Sequence, residues 1–142
     1  MPEFVVHPRL LADCHQLGRL ALCRVLLHRN AALPWFILVP EVGQEIVELH
    51  ELDGMRRQQL ATELDLVARF TRARFDVAKL NIAAIGNIVQ QLHVHVVGRH
   101  PDDPCWPGVV WGRLPPGPAW DSVTLQELVE RLAPLGLTPV SG

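Results

Sequence analysis

Polar and apolar residues alternate along Gln91-Leu92-His93-Val94-His95-Val96-Val97, and the run closes on Gly98-Arg99. Two-residue periodicity in a β-branched run predicts a strand that puts Gln91, His93 and His95 on one face and Leu92, Val94 and Val96 on the other. Neighbours on one face lie about 6–7 Å apart at the usual strand rise. Leu20–His28 and Trp35–Val39 read as two further strands, the second stopped by Pro40, and their short connection predicts an antiparallel pair. Between Arg56 and Phe75 the apolar residues Leu60, Leu64, Val67 and Phe70 recur at three- and four-residue steps. This is a long amphipathic helix, with Asp53 as its candidate N-cap. Lys79–Ala84 reads as a strand that precedes a turn at Gly86-Asn87. Shorter pieces complete the pattern. A helix opens near Pro8 and ends by Gly18, one or two helical turns span Ile46–His50, and a last helix covers Thr124–Leu132 with Ser122 or Thr124 near its start and Gly136 past its end.

Composition narrows the class. A chain of 142 residues with 49% hydrophobic and 20% charged residues fits one domain over residues 1–142, able to bury a core without staples. A net charge of −2 and the lack of a basic run argue against a nucleic-acid partner; Arg69, Arg72 and Arg74 read as a solvated helix face. The longest apolar run, Leu33–Pro40, is too short to span a bilayer. The start Met1-Pro2-Glu3-Phe4 lacks the pattern of a secretion signal, and three scattered cysteines (Cys14, Cys23, Cys105) suit reduced thiols, so a cytoplasmic protein is expected. The segment after Arg99 is rich in Pro and Trp, and Trp106, Trp111 and Trp120 are expected to be buried.

Three chemistries suit the Gln91, His93, His95 row. The histidines could be structural. They could bind a metal as a His-x-His pair, which needs at least a third protein ligand, with His100 nearby in sequence. Or a neutral imidazole could attack phosphorus, supported by a group that holds its tautomer and by donors for the phosphoryl oxygens. Backbone N–H groups at Gly86-Asn87 are suited to a phosphate, which favours the last chemistry over the metal.

The series Asn81, Gly86, Asn87, Val89, then Gln91-Leu92-His93-Val94-His95-Val96-Val97, resembles the signature of the histidine triad (HIT) superfamily, His-φ-His-φ-His-φ-φ with φ apolar. The likeness extends to Leu20–Pro40 as the family's strand pair and Arg56–Phe75 as its long helix. It implies an α+β fold with an antiparallel sheet, a long helix packed on it and a C-terminal helix. It also implies a homodimer, with the long helix and Lys79–Ala84 near the twofold axis, and hydrolysis or transfer of nucleotides at the α-phosphorus. By that resemblance His93 is the nucleophile and His95 a phosphoryl contact. Gly86, Asn87 and Asn81 face phosphates, and Asn30 binds ribose hydroxyls. The implied substrate is a nucleoside phosphate or dinucleoside polyphosphate, and no metal or other cofactor is called for.

The chain departs from the signature at three places. Gln91 replaces the first histidine; an amide can orient a neighbour but cannot exchange a proton near neutral pH. Ile88 stands where many members carry a hydroxyl, and Pro40 leads into Glu41-Val42-Gly43-Gln44 where a histidine often follows. An enzyme with altered substrate or turnover, a nucleotide-binding module without catalysis, and a His-x-His metal hydrolase all remain open from sequence. Trp106-Pro107-Gly108 lies where some members place a loop near the site, or else serves as a buried anchor.

Overall fold

In the computed structural model, which describes residues 3–140, five strands form one antiparallel sheet. Positions 1, 2, 141 and 142 of the expected domain, including Met1 and Pro2 of the N-terminal run, lie outside the described residues. Helix α1 (Pro8–Asp13) leads into β1 (Cys14–Arg19) and β2 (Cys23–His28), followed by β3 (Trp35–Pro40). Helix α2 (Gly54–Arg74) crosses to β4 (Lys79–Ala83) and β5 (Val94–Arg99), and α3 (Ser122–Leu132) comes last. The sheet order is β1-β2-β3-β5-β4, so the histidine strand is inserted between β3 and β4. The expected α+β fold is present, with the strand pair β2–β3 in register at Leu26↔Ile37.

Both faces of the sheet are covered, and alternation along each strand sorts residues between them. Phe36, Leu38, Val94 and Val96 pack with Leu60, Val67 and Phe70 of α2 and Leu128 and Leu132 of α3. Trp35, Ile37, Val39 and Val97 face the other way, against Leu10 of α1 and Val110 of the C-terminal loops. Each fully buried Leu or Phe contributes about 1.5–3 kcal/mol. The expected cap holds, since the Asp53 carboxylate accepts the Arg56 N–H at the start of α2. At α3 the cap is Asp121, which accepts from Thr124, rather than Ser122 or Thr124 themselves. The arginine face of α2 is only partly a solvated one. Arg69 pairs with Asp65 in water, but Arg74 makes a two-pronged ion pair with Glu127 that ties α2 to α3.

Several expectations need correction. Cys14–Arg19 is an edge strand with a bulge at Gln16/Gly18, not the tail of a helix, and its alternation is hidden by that irregularity. The following strand starts at Cys23 rather than Leu20, because Leu20–Leu22 form the turn between β1 and β2. A buried carboxylate closes that turn. Glu63 of α2 is 2% exposed, and its two oxygens accept the N–H groups of Leu22 and Cys23 at 2.9 Å each. Ile46–His50 does not form a helix as a unit; a single 3₁₀ turn covers Leu49–Glu51. Strand pairing of β5 begins at Val94, three residues after the alternation begins. Trp106 is exposed over its outer face, with its ring 5.6 Å from the Arg99 guanidinium, whereas Trp111 and Trp120 are half-buried.

Arg99, which ends β5, is fully buried and makes three side-chain hydrogen bonds to nearby partners. Its Nε and Nη2 donate to the two Asp103 oxygens at 2.8 and 3.0 Å, and Nη1 donates to Asn81 Oδ1 at 2.9 Å. Burial of Asp103 opposes ionisation, but Arg99 and the N–H groups of Cys105 and His100 overcome it and hold its pKa at about 2.

Candidate active site

His93 and His95 are each 6% exposed and lie in one cluster, with ring centroids 5.0 Å apart at 70°. They line a cavity of about 350 Å³ whose other walls come from β2 (His28), β3 (Trp35, Ile37), the turn Gly86–Val89, α1 (Arg9, Leu10, Asp13) and Trp111. Every one of those walls except the turn was outside the motif that pointed to the histidines.

Hydrogen bonding fixes which nitrogen of each ring carries the proton. His93 Nδ1 lies 2.6 Å from the backbone carbonyl of Gln91. A carbonyl oxygen only accepts, so Nδ1 holds the proton and Nε2 keeps its lone pair. His95 has the opposite arrangement. The indole Nε1–H of Trp35 donates to His95 Nδ1 at 3.0 Å, so a neutral His95 carries its proton on Nε2. The Trp35 ring is itself stacked on His28, 4.4 Å between centroids and 17° from parallel, and His28 Nδ1 accepts the Asn30 N–H. Trp111 meets His95 edge-on at 5.4 Å, and its indole nitrogen is buried without a partner among the described residues.

Burial keeps these imidazoles uncharged. It pushes His95 down to about 3, with His93 and His28 adding to the effect. His93 is also lowered, chiefly by burial and partly by His7, although its bond to the Gln91 carbonyl works in the other direction. His28 is lowered by burial as well, against the field of Asp13. The cavity thus offers one neutral imidazole with a free lone pair and one neutral imidazole with a free N–H.

The remaining sequence candidates divide. Gly86 and Asn87 line the cavity, and Gly86 sits at φ +67°, a left-handed conformation that suits glycine and turns the chain there. Gln91 is adjacent, but its side chain does not touch His93. Nε2 donates to the Val5 carbonyl at 2.9 Å and Oε1 accepts the His7 N–H at 2.8 Å, so the amide clips the N-terminal segment to the site. Only the Gln91 backbone supports His93. The structure does not bring Asn30 or Asn81 to the cavity wall. Asn30 uses both ends of its amide within the chain, donating to the Pro115 carbonyl and accepting from Ala32. Asn81 shares the sheet face of His95 but is engaged by Arg99. Among the described residues no three His, Cys, Asp or Glu side chains are grouped to hold a metal ion, so the His-x-His pair lacks the third ligand that zinc requires. All three cysteines are free, and burial pushes the Cys14 thiol up to about 12. Among the described residues no helix is long and apolar enough to cross a membrane.

Comparison with known proteins agrees with the fold. No curated protein matches the chain. Among solved structures, a histidine triad protein from Bradyrhizobium japonicum is 39% identical, with a TM-score of 0.85 over 94% of this chain and 98% of that one. One from Sinorhizobium meliloti is 37% identical, with a TM-score of 0.84 over 92% and 96%. One from Marinobacter aquaeolei is 41% identical, with a TM-score of 0.84 over 93% and 95%. The HIT domain profile matches residues 10–102, which spans every strand and α2, and the chain belongs to the HIT domain family of histidine triad proteins.

Proposed function

We propose that residues 1–142 act as one HIT-like domain that hydrolyses or transfers a nucleotide at the α-phosphorus of a nucleoside phosphate or dinucleoside polyphosphate. The observation that carries this reading is the opposed tautomers of His93 and His95 in one cavity. The His93 Nε2 lone pair attacks phosphorus, and the leaving group departs with the bonding electron pair. The new N–P bond makes the ring cationic, and the Gln91 carbonyl already accepts the Nδ1 proton of that imidazolium. His95 Nε2–H donates to a phosphoryl oxygen as charge develops there, without bringing a charge of its own. The Gly86-Asn87 turn contributes further phosphate contacts. Water then attacks phosphorus, the N–P bond breaks with its electron pair returning to Nε2, and the proton of the attacking water is released to solvent as the nucleotide product ionises. Gln91 cannot protonate the leaving group, so this chain favours leaving groups that depart unaided or draw a proton from water.

The test is a panel of adenosine and guanosine phosphoramidates and dinucleoside polyphosphates, assayed with wild type beside His93→Ala. Wild type should turn over at least one compound and show a nucleotidyl adduct by intact mass after rapid quench. His93→Ala should lose nearly all turnover and the adduct while still binding a nucleoside monophosphate. Wild-type turnover in a clean His93→Ala preparation rejects the assignment; binding by wild type with no turnover on any compound selects the binding-module reading. His95→Ala should cost less, on the order of 10²–10³ in rate, as expected for one lost donor. The site lies in a chain we assign as a cytoplasmic homodimer. Edge strand β4 presents Ile82 at 48% exposure, and that supports a twofold contact along β4 and α2.

A further inference from the structure

We propose that Arg9 is a specificity-determining residue, binding the phosphate groups of the substrate beyond the α-phosphorus, and that Gln91 is a positioning residue that holds Arg9's segment in place. This rests on the reading of the cavity as a nucleoside-phosphate site and extends it to the substrate class: nucleotides whose leaving group carries phosphate.

The argument begins with charge. A nucleoside phosphate brings at least one full negative charge into the cavity, and a polyphosphate brings several. Three histidines line it, His28, His93 and His95, and burial lowers the pKa of each, which favours the neutral rings. Gly86 and Asn87 are uncharged. Among the described residues that line the cavity, Arg9 is the only lysine or arginine. It is exposed, and no carboxylate lies within ion-pair distance of its guanidinium among the described residues. A cation without a partner beside neutral catalytic groups is what an anionic ligand needs, and a guanidinium matches phosphate oxygens two at a time. Asp13, one turn further along α1, also lines the cavity and faces His28 electrostatically. It repels phosphate from its own end and so directs the phosphate chain toward Arg9 and His93.

Position explains Gln91. Arg9 can serve only if α1 stays on the cavity rim, and α1 follows the segment that Gln91 clips at Val5 and His7. His7 is in turn the N-cap of α1, accepting the Arg9 N–H at 3.1 Å. From Gln91 the connection therefore runs through His7 to Arg9 in two hydrogen bonds, with the Gln91–Val5 bond holding the same segment. An imidazole at position 91, whose nitrogens point apart, could not grip both Val5 and His7. The side-by-side donor and acceptor of the Gln91 amide match the neighbouring Val5 carbonyl and His7 N–H.

The experiment measures binding of AMP, ADP and ATP in EDTA by calorimetry, and kcat/KM on a dinucleoside polyphosphate and on a phosphoramidate. The proteins are wild type, Arg9→Ala, Arg9→Lys, Gln91→Ala and the double variant Arg9→Ala/Gln91→Ala. Wild type should prefer ATP over AMP by about tenfold or more, the size expected of one charge-assisted contact. Arg9→Ala should collapse that preference, and its loss of kcat/KM should be about tenfold greater on the polyphosphate than on the phosphoramidate; Arg9→Lys should restore part of it. Gln91→Ala should reproduce the selective loss with the melting temperature nearly kept, and the double variant should lose no more than Arg9→Ala alone. Equal losses on both substrate types, or an ATP preference that survives Arg9→Ala, would overturn the role of Arg9. Additive losses in the double variant would overturn that of Gln91. If wild type shows no turnover but the ATP preference depends on Arg9, the catalytic reading fails and this one stands.

Discussion

A protein that holds an imidazole neutral through burial must become less stable as acid is added, and the size of that effect follows from His95. Its folded pKa is about 3, against 6.5 for the free side chain. Above about pH 6.5 neither the folded nor the unfolded chain carries this proton, and the full stability is present. Below it, the unfolded chain takes the proton and the folded chain does not, so stability falls by about 1.4 kcal/mol per pH unit until the folded pKa is reached. From pH 7 to pH 5 the loss from this residue is about 2 kcal/mol, a sizeable share of a typical 5–15 kcal/mol. His95→Gln removes the titration and leaves an acceptor for the Trp35 indole. His93 and His28, also lowered, add slope of the same sign, but they remain in both proteins and cancel in the comparison. Urea unfolding followed by tryptophan fluorescence at pH 7, 6 and 5 should give wild type the steeper dependence by about 2 kcal/mol over the range. Asp103, whose pKa of about 2 lies below the ordinary 3.8, costs stability only in stronger acid and does not enter. Parallel pH curves for the two proteins would mean that His95 is hydrated or charged in the folded state, and the tautomer assignment would fall with it.

Two further outcomes follow from the fold and its assembly. Glu63→Ala strips the Leu22 and Cys23 N–H groups of their buried acceptors, so the midpoint of urea unfolding should drop by the equivalent of about 2–5 kcal/mol; a change under about 1 kcal/mol would show that water replaces the carboxylate. Light scattering at micromolar concentration should give twice the 15.9 kDa chain mass, and a monomer's mass would remove the proposed twofold contact at β4.

Much of this was readable in the sequence, for reasons that differ by element. Helix α2 was legible because periodicity and an N-cap agreed, and β3 because an unbroken apolar run ended at a proline. The two histidines were legible because they share one strand, where i and i+2 must face the same way. Strand β1 was not, since its bulge destroys the alternation that would announce it. Glu63 gave no signal, because a glutamate in an amphipathic helix ordinarily faces water and nothing local marks one that closes a distant turn. The roles of Trp35, His28 and Arg9 were hidden for a simpler reason. Each reaches the cavity by tertiary packing across 58 to 84 positions from His93, and sequence spacing carries no information at that range. Asn30 and Asn81 were placed by likeness to a motif, and each instead spends its amide on a neighbour that the motif does not include.

The point where strand pairing begins bears on how such a site can change over generations. From Val94 onward, β5 is locked to β3 on one side and β4 on the other. Inserting or deleting one residue there would turn over every side chain that follows, sending valines from the core to the cavity side and breaking two ladders at once. The interior of β5 can therefore vary by substitution but hardly by length. Gln91 lies three residues earlier, in unpaired chain. A new side chain at that position disturbs no ladder and leaves the carbonyl that supports His93 where it was. Substitution at position 91 is thus opposed by the two hydrogen bonds of its amide to the N-terminal segment and not by the sheet.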